Sequence, residues 1–194
     1  MSAEPIPHRP GLWQPDPVRQ RLAAYTIEDV WNLPDDAPRV ELVDGVIHVV
    51  PSPTIDHQDI TFLLCQWLRE HAPRELRATM AIGIAIDGKN SREPDVVLYR
   101  AGVSTSNHYL TPDDVVVAVE VVSPGTRRRD RFGKPGEYAA VGIPYYWRVE
   151  QDPVHVFAYK LGDNQQYALC GDGAELLELT EPFAIKLPIT EITP

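Results

Sequence analysis

Apolar residues recur along the chain with two different periods, which predict both helices and strands. One helical face is formed by five residues at spacings of three and four: Ile60, Leu63, Leu64, Trp67 and Leu68. Thr54 or Asp56 is expected to cap this helix. A shorter helix is predicted after Thr26, which resembles a capping box with Asp29, and Pro34 ends it.

Residues 39–50 predict a β-hairpin. Two runs rich in β-branched residues flank Asp44-Gly45, a pair that is typical of two-residue turns. With this turn, Glu41 lies opposite His48. A slip of one residue would move every side chain to the other face, so the register is a specific prediction.

Three further segments, residues 77–86, 95–99 and 115–122, are predicted to be strands. The last is almost entirely apolar, which favours a central strand buried on both faces. Residues 126–142 are expected to be partly helical, and the remainder alternates strands with polar turns. The aromatic run at 145–147 is interpreted as core packing rather than as a base-stacking surface.

The composition is that of a globular protein with one domain. The chain has 194 residues, of which 43% are hydrophobic. Residues 1–20 contain five prolines and are expected to form a flexible arm, and residues 21–194 a single domain. No apolar run suits a membrane span or a signal peptide, and the two cysteines form no CxxC pair, so a cytoplasmic location is expected.

The net charge of -10 counts against a nonspecific nucleic-acid coat. Affinity for nucleic acid comes largely from basic residues that displace counterions from phosphates. A contact with nucleic acid is therefore expected to be confined to a local patch. The acidic balance also fits a site that collects carboxylates around a divalent cation.

Glu120 is the most informative residue because it interrupts the apolar run VVVAVEVV. An unpaired carboxylate would cost several kcal/mol to bury there. We therefore expect a cation, a partner or an active-site opening beside it. The alternatives are that Glu120 points to solvent near a strand end or pairs with an arginine.

Asp95 follows Pro94 at the start of another predicted strand. Two carboxylates on neighbouring strands can share a divalent ion, and oxygen ligands suit Mg²⁺ or Mn²⁺. Such an ion can lower the pKa of a bound water and neutralise charge on a phosphate. Asp95 and Glu120 are thus candidates for a metal site.

Several short motifs in a consistent order resemble the Uma-type restriction endonucleases of the PD-(D/E)XK nuclease superfamily. The matching pieces are ELVDG at 41–45, Ser52-Pro53 before His57, PDVVLY at 94–99, VEVVSPGTRRRDRFGK at 119–134, Tyr138, and GIPYYWRVE at 142–150. The resemblance covers about residues 26–150. It implies an α/β fold of the restriction-endonuclease type, with a central mixed β-sheet flanked by helices and an additional C-terminal β-meander.

The resemblance also implies the residues of a metal site. Asp95 and Glu120 would be metal ligands, with the backbone carbonyl of Val121 as a third. Glu41 matches the acidic residue before the family's Asp-Gly turn and would join the metal site or orient its water. The alternative for Glu41 is a polar residue on a hairpin face.

The superfamily has a lysine two residues after its glutamate, but this chain has Val122 at that position after Glu120. The resemblance implies that Lys134, from the following helix, takes that role and stabilises hydroxide or the charge on the phosphate. Pro135 favours the first turn of a helix, so Lys134 is expected at a helix start or a break. The alternative is a solvated surface lysine.

The densest basic run consists of four arginines: Arg127, Arg128, Arg129 and Arg131. They are expected either to meet phosphates that flank the scissile bond or to be solvated or paired with acids such as Glu137. Asp130 and Tyr138 match family positions, and Asp130 is expected to hold Lys134 or an arginine. His57 would bind phosphate or make a structural hydrogen bond.

Two functions of different classes are compatible with these residues. The first is a Mg²⁺- or Mn²⁺-dependent endonuclease that cleaves DNA by activating water, with a homodimer expected only by analogy with restriction enzymes. The second is a degenerate, non-catalytic member that binds nucleic acid or a protein. Membership of a family does not fix a substrate, so another phosphoryl substrate also stays open.

Overall fold

The computed structural model describes residues 13–106, 108–123 and 129–194, with the side chains of Arg129 and Phe132 left aside. The chain forms two compact units. The first extends to Pro51 and includes Asp87–Asn90, and the second comprises Ser52–Ile86 and Ser91–Pro194. The single domain expected over residues 21–194 stays a prediction.

The first helix among the described residues is the short helix α1, Pro17–Arg21, in the first unit. The Asp16 carboxylate accepts hydrogen bonds from the backbone N–H groups of Val18 and Arg19, at 2.7 and 3.0 Å. Pro17 fits the first helical turn because its missing N–H is not needed there. The end of the predicted arm, residues 17–20, is therefore helical rather than extended.

Helix α2, Ile27–Trp31, confirms the predicted capping box. The Asp29 carboxylate accepts a hydrogen bond from the Thr26 N–H at 2.9 Å and another from its hydroxyl at 3.1 Å. Ile27 and Val30 provide the buried side of this helix. The helix ends before Pro34, as expected.

The predicted hairpin consists of β1, Val40–Val43, and β2, Val46–Val49, with Glu41 paired to His48 as expected. Asp44 and Gly45 have φ angles of 49° and 77°. Two successive positive φ angles give a turn whose twist matches that of the flanking strands. The Gly45 N–H donates to the Lys89 carbonyl at 3.0 Å, within the same unit.

The remaining elements follow in chain order. They are α3 Ile55–His71, β3 Leu76–Met80, β4 Gly83–Asp87, β5 Asn90–Arg92, β6 Val96–Arg100, β7 Tyr109–Leu110, β8 Val115–Val121, α4 Lys134–Ala140, β9 Tyr145–Gln151, β10 Val154–Leu161, β11 Tyr167–Gly173, β12 Leu176–Leu179 and β13 Ile185–Pro188. A π-helical turn, Arg129–Gly133, leads directly into α4.

Within the described residues, no helix combines the length and apolar character needed to cross a membrane.

The second unit contains a six-stranded sheet in the order β11-β10-β9-β8-β6-β3. Strands β8 and β9 are parallel and their other neighbours antiparallel, so the predicted mixed sheet is confirmed. The meander β9-β10-β11 and the β12-β13 hairpin confirm the additional C-terminal strands.

The prediction of one continuous strand at 77–86 is wrong. It forms two strands, β3 and β4, with a break between Met80 and Gly83. Ala81 has a φ angle of 52° there. A left-handed residue cannot continue extended backbone, so the chain turns at this point.

The two faces of β8 contribute to different parts of the core. Val117, Val119 and Val121 pack in a cluster with α3, whereas Ala118 packs in a second cluster with Tyr138 and Tyr146. Because side chains alternate along a strand, Glu120 lies on the second face, with Ala118. In the aromatic run at 145–147, Tyr145 and Trp147 are buried in the first cluster and Tyr146 in the second. This burial agrees with the interpretation of the run as core packing.

Gly45→Ala is expected to destabilise the hairpin. A Cβ atom at this position would lie 2.2 Å from the Ala23 carbonyl oxygen, and its φ angle is left-handed. We expect a loss of roughly 2 kcal/mol or more in the free energy of unfolding, measured by urea denaturation. Gly88→Ala is the control, since its Cβ would have no heavy atom within 4 Å and should change stability by less than about 0.5 kcal/mol. Equal losses in the two variants would contradict this explanation.

Candidate active site

Asp95 lies immediately before β6 and attaches to β8 on both sides of Glu120. Its backbone N–H donates to the Val119 carbonyl at 3.0 Å. Its Oδ2 atom accepts a hydrogen bond from the Val121 N–H at 2.8 Å. The start of β6 is thereby fixed beside the end of β8, which places the two candidate carboxylates on adjacent strands.

The Val121 carbonyl points to the same side of β8 as Asp95. The backbone polar groups of the next residue, Val122, point to β9. Its N–H donates to the Val149 carbonyl, and its own carbonyl accepts a hydrogen bond from the Gln151 side-chain amide. Polar groups of successive strand residues point to opposite edges, and the N–H and C=O of one residue point to the same edge. Since the Val121 N–H meets Asp95, its carbonyl is directed to that side as well.

Glu120 is buried, with 2% of its surface exposed, so the alternative that it points to solvent is wrong. The Lys134 Nζ atom donates to Glu120 Oε2 at 2.7 Å. The Tyr138 hydroxyl donates to Oε1 at 2.7 Å. Charge-assisted hydrogen bonds of this kind offset the cost of removing a carboxylate from water.

Lys134 is the first residue of α4 and is only 6% exposed, so the alternative of a solvated surface lysine is wrong. Gly133 precedes the helix and Pro135 is its second residue, a position where no backbone N–H is required. The expectation of a helix start is confirmed. Gly133 and Pro135 therefore do not prevent contact between Lys134 and Glu120. They lie at the start of the helix whose first residue, Lys134, makes that contact.

Asp130 supports the same cluster from the π-helical turn. One oxygen of its carboxylate lies 3.4 Å from Lys134 Nζ, and its backbone carbonyl accepts a hydrogen bond from the Tyr146 hydroxyl at 2.5 Å. Burial raises the pKa of Tyr146 well above its usual value, so this phenol stays a donor at all physiological pH values. Asp130 holds Lys134, one of the two roles expected for it.

His57 is the third residue of α3 and is 8% exposed. Its backbone N–H donates to the Thr54 hydroxyl at 3.3 Å, as expected for a capped helix. Its Nε2 atom lies 3.3 Å from Asp95 Oδ2. The helix N-terminus thus brings a histidine to the carboxylate that also meets the Val121 N–H.

The remaining predicted site residues are Glu41 and the arginine run. Glu41 belongs to the first unit, where it is buried on β1. Arg127 and Arg128 lie outside the described residues, as does the side chain of Arg129. Arg131 contacts Glu150, with nitrogen-oxygen distances of 2.9 and 3.0 Å, and this carboxylate raises the pKa of the guanidinium.

Two arginines that the sequence analysis did not single out lie near these residues. Arg92 is 2% exposed, and its Nε atom donates to Glu137 Oε2 at 2.5 Å, which ties β5 to α4. Arg148 is the Cα partner of Glu120 in the parallel β8-β9 pair. Neither position carries a sequence signal, because the first depends on tertiary packing and the second on a parallel register that no turn fixes.

The donor set fits a divalent cation. Oxygen atoms are offered by Asp95, Glu120 and the Val121 carbonyl. The carboxylates of Asp95, Glu120 and Asp130 carry three negative charges and Lys134 carries one positive charge, so two negative charges are left for a cation. Oxygen ligands with surplus negative charge suit Mg²⁺ or Mn²⁺, which keep several waters. Among the described residues, no group of three or more His, Cys, Asp or Glu side chains is arranged to hold a metal, so protein ligation would be sparse.

Comparisons with known proteins concern the fold and the family of the chain. A crystal structure of a putative nuclease belonging to DUF820 from Anabaena variabilis matches with a TM-score of 0.68 and 20% sequence identity, over 86% of this chain and 96% of that chain. This likeness shows the fold. No curated protein matches the chain. The model of the Uma2 family, described as putative restriction endonuclease, matches residues 27–190, and the chain therefore belongs to that family.

Proposed function

We propose that this protein is a divalent-metal-dependent endonuclease that hydrolyses phosphodiester bonds in DNA. The observation that carries the proposal is the buried ion pair between Glu120 on β8 and Lys134 at the start of α4, 2.7 Å apart. Asp95 is attached to the same strand, β8. Two carboxylates, a backbone carbonyl and a lysine together offer both a cation site and a positive charge for a phosphate. Family membership and the fold of the DUF820 nuclease support the reaction class.

Asp95, Glu120 and the Val121 carbonyl would hold the cation, which we propose to be Mg²⁺ or Mn²⁺. When bound, such an ion lowers the pKa of water and neutralises negative charge on a phosphodiester. Asp95 is suited to this role because its side chain is 14% exposed, whereas that of Glu120 is 3% exposed. A phosphate would therefore approach from the Asp95 side.

The remaining residues of the cluster orient the carboxylates and supply charge. The Lys134 ammonium would stabilise the negative charge that develops on the phosphate during attack by water. Tyr138 holds one oxygen of Glu120, and His57 contacts Asp95, so each carboxylate has a fixed direction. Fixed donors and acceptors need little reorganisation in the transition state.

Residues outside this cluster have proposed roles that follow from the family resemblance for Glu41 and from the basic run for the arginines. Glu41 would join the metal site or orient its water. Arg127, Arg128 and Arg129 would contact phosphates on either side of the cleaved bond. These contacts would confine DNA affinity to one region of a chain with a net charge of -10.

A non-catalytic binding module is the second candidate. The acidic net charge favours it, as does the sparse set of metal-ligating side chains in the described part of the chain. It predicts binding of a nucleic acid or a protein without turnover. Metal-dependent cleavage separates the two candidates.

Nicking of supercoiled plasmid is expected with Mg²⁺ or Mn²⁺ and is expected to stop with EDTA. Asp95→Asn and Glu120→Gln should each lower the rate at least about a hundredfold, because each removes a charged ligand. Lys134→Met should lower it by about a hundredfold or more, since the positive charge beside the phosphate is lost. The rates are read from the supercoiled and nicked fractions over time.

The matched control is the exposed ion pair of Glu178 and Lys186, 3.1 Å apart. Glu178→Gln and Lys186→Met make the same chemical changes and should leave nicking unchanged. Cleavage that survives both Asp95→Asn and Glu120→Gln would refute the proposed site. DNA binding without cleavage under either metal would instead favour the binding module.

Tyr138→Phe is expected to destabilise the protein and to slow cleavage. It removes a buried hydrogen bond to Glu120, so the free energy of unfolding should fall by about 1.5–3 kcal/mol. The control is Tyr99→Phe, since the Tyr99 hydroxyl makes no hydrogen bond within the described part of the chain. Urea denaturation of the two variants tests the assignment, and equal stability changes would contradict it.

A further inference from the structure

A cross-strand row of side chains leads away from Glu120 over the face of the sheet. In the parallel pair of β8 and β9, Glu120 is the Cα partner of Arg148. In the antiparallel pair of β9 and β10, Arg148 is the partner of Phe157. Paired residues project from the same face, and neighbouring strands are about 4.8 Å apart. Arg148 is therefore the immediate neighbour of the candidate catalytic carboxylate.

The Arg148 guanidinium is held by aromatic rings. Its Cζ atom lies 4.5 Å from the centre of the Phe157 ring and 5.7 Å from that of Tyr159. The Phe157 ring also stacks against His155, with centres 4.1 Å apart. Stacking of this kind fixes the plane of a guanidinium without using any of its N–H donors.

The donors of Arg148 are not used within the described part of the chain. Its Nε atom lies 3.2 Å from Glu150 Oε1 but is buried without a hydrogen bond, and its other nitrogens make none to described residues. The side chain is only 17% exposed. A buried donor without a hydrogen bond is costly, and the Nε atom of Arg148 is such a donor. A guanidinium also carries four further N–H groups that can donate to a ligand. A ligand that accepts hydrogen bonds would remove this cost.

The surrounding charges indicate an anionic ligand. Glu150 contacts Arg131 at 2.9 Å as well as Arg148 at 3.2 Å, so two guanidinium groups share one carboxylate. This group of three residues retains one positive charge. Glu120, on the neighbouring strand, is already paired with Lys134 at 2.7 Å, and His155 is paired with Asp172 at 2.7 Å.

We propose that Arg148 binds a phosphate of the substrate strand next to the phosphodiester that is cleaved at Asp95 and Glu120. The fork of a guanidinium matches two phosphate oxygens, and its fixed plane lowers the entropy lost on binding. Phe157 serves to hold the guanidinium rather than to stack on a base, since Arg148 and His155 already cover it. This inference rests on the proposed function, and it adds a phosphate contact outside the arginine run at 127–131.

Binding of a fluorescent DNA duplex in EDTA, followed by anisotropy, tests the inference apart from catalysis. Arg148→Met keeps the side-chain stem over Phe157 but removes the charge. It should weaken binding about tenfold and lower the slope of log affinity against log salt by about one. Arg148→Lys should keep the slope and lose part of the affinity, because the charge remains and the fork is lost. With Mg²⁺, Arg148→Met should raise KM more than it lowers kcat.

Lys186→Met is the control for charge, because it removes one exposed positive charge on β13. It should change neither the affinity nor the salt slope, and circular dichroism should show that all variants are folded. An unchanged affinity and slope in folded Arg148→Met would overturn the inference, even if the wild type cleaves DNA. Wild-type protein that binds but does not cleave, with binding lost in Arg148→Met, would support the phosphate site and refute only the catalytic proposal.

Discussion

The burial of the Glu120 carboxylate on a central strand constrains much of this structure. A charge removed from water is tolerated only when charged or polar partners replace the lost solvation. Lys134 and Tyr138 provide those partners from one helix, four residues apart and therefore on the same helical face. Helix α4 must consequently begin at Lys134, and the π-helical turn before it, with Asp130, serves that placement.

The same contacts that stabilise the carboxylate would also suit it to the proposed reaction. Lys134 places a positive charge beside Glu120, while Asp95 is joined to β8 at Val119 and Val121, on both sides of that residue. Each group is held by a strand or a helix start rather than by a free loop. Such rigid support fits a site that would work by fixed electrostatics, and Arg148 would extend that charge pattern towards the substrate strand.

Much of this arrangement could be predicted from the sequence where the signal is local. The capping box at Thr26 and the Asp44-Gly45 turn follow from a few adjacent residues, and the second fixes the partner of Glu41. Glu120 was identifiable because a carboxylate in an apolar strand conflicts with its surroundings. The position of Arg148 beside Glu120 was not predictable, because it depends on a parallel register set by tertiary packing. The break at Ala81 was missed because alanine gives no signal for a left-handed conformation.

Titration calorimetry with Mn²⁺ tests the central claim most directly, because it measures the cation site without requiring a known substrate. The wild type is expected to bind Mn²⁺ at a site that is lost in both Asp95→Asn and Glu120→Gln and kept in Glu178→Gln. Unchanged Mn²⁺ binding in both site variants would contradict the assignment of these two carboxylates as the metal ligands.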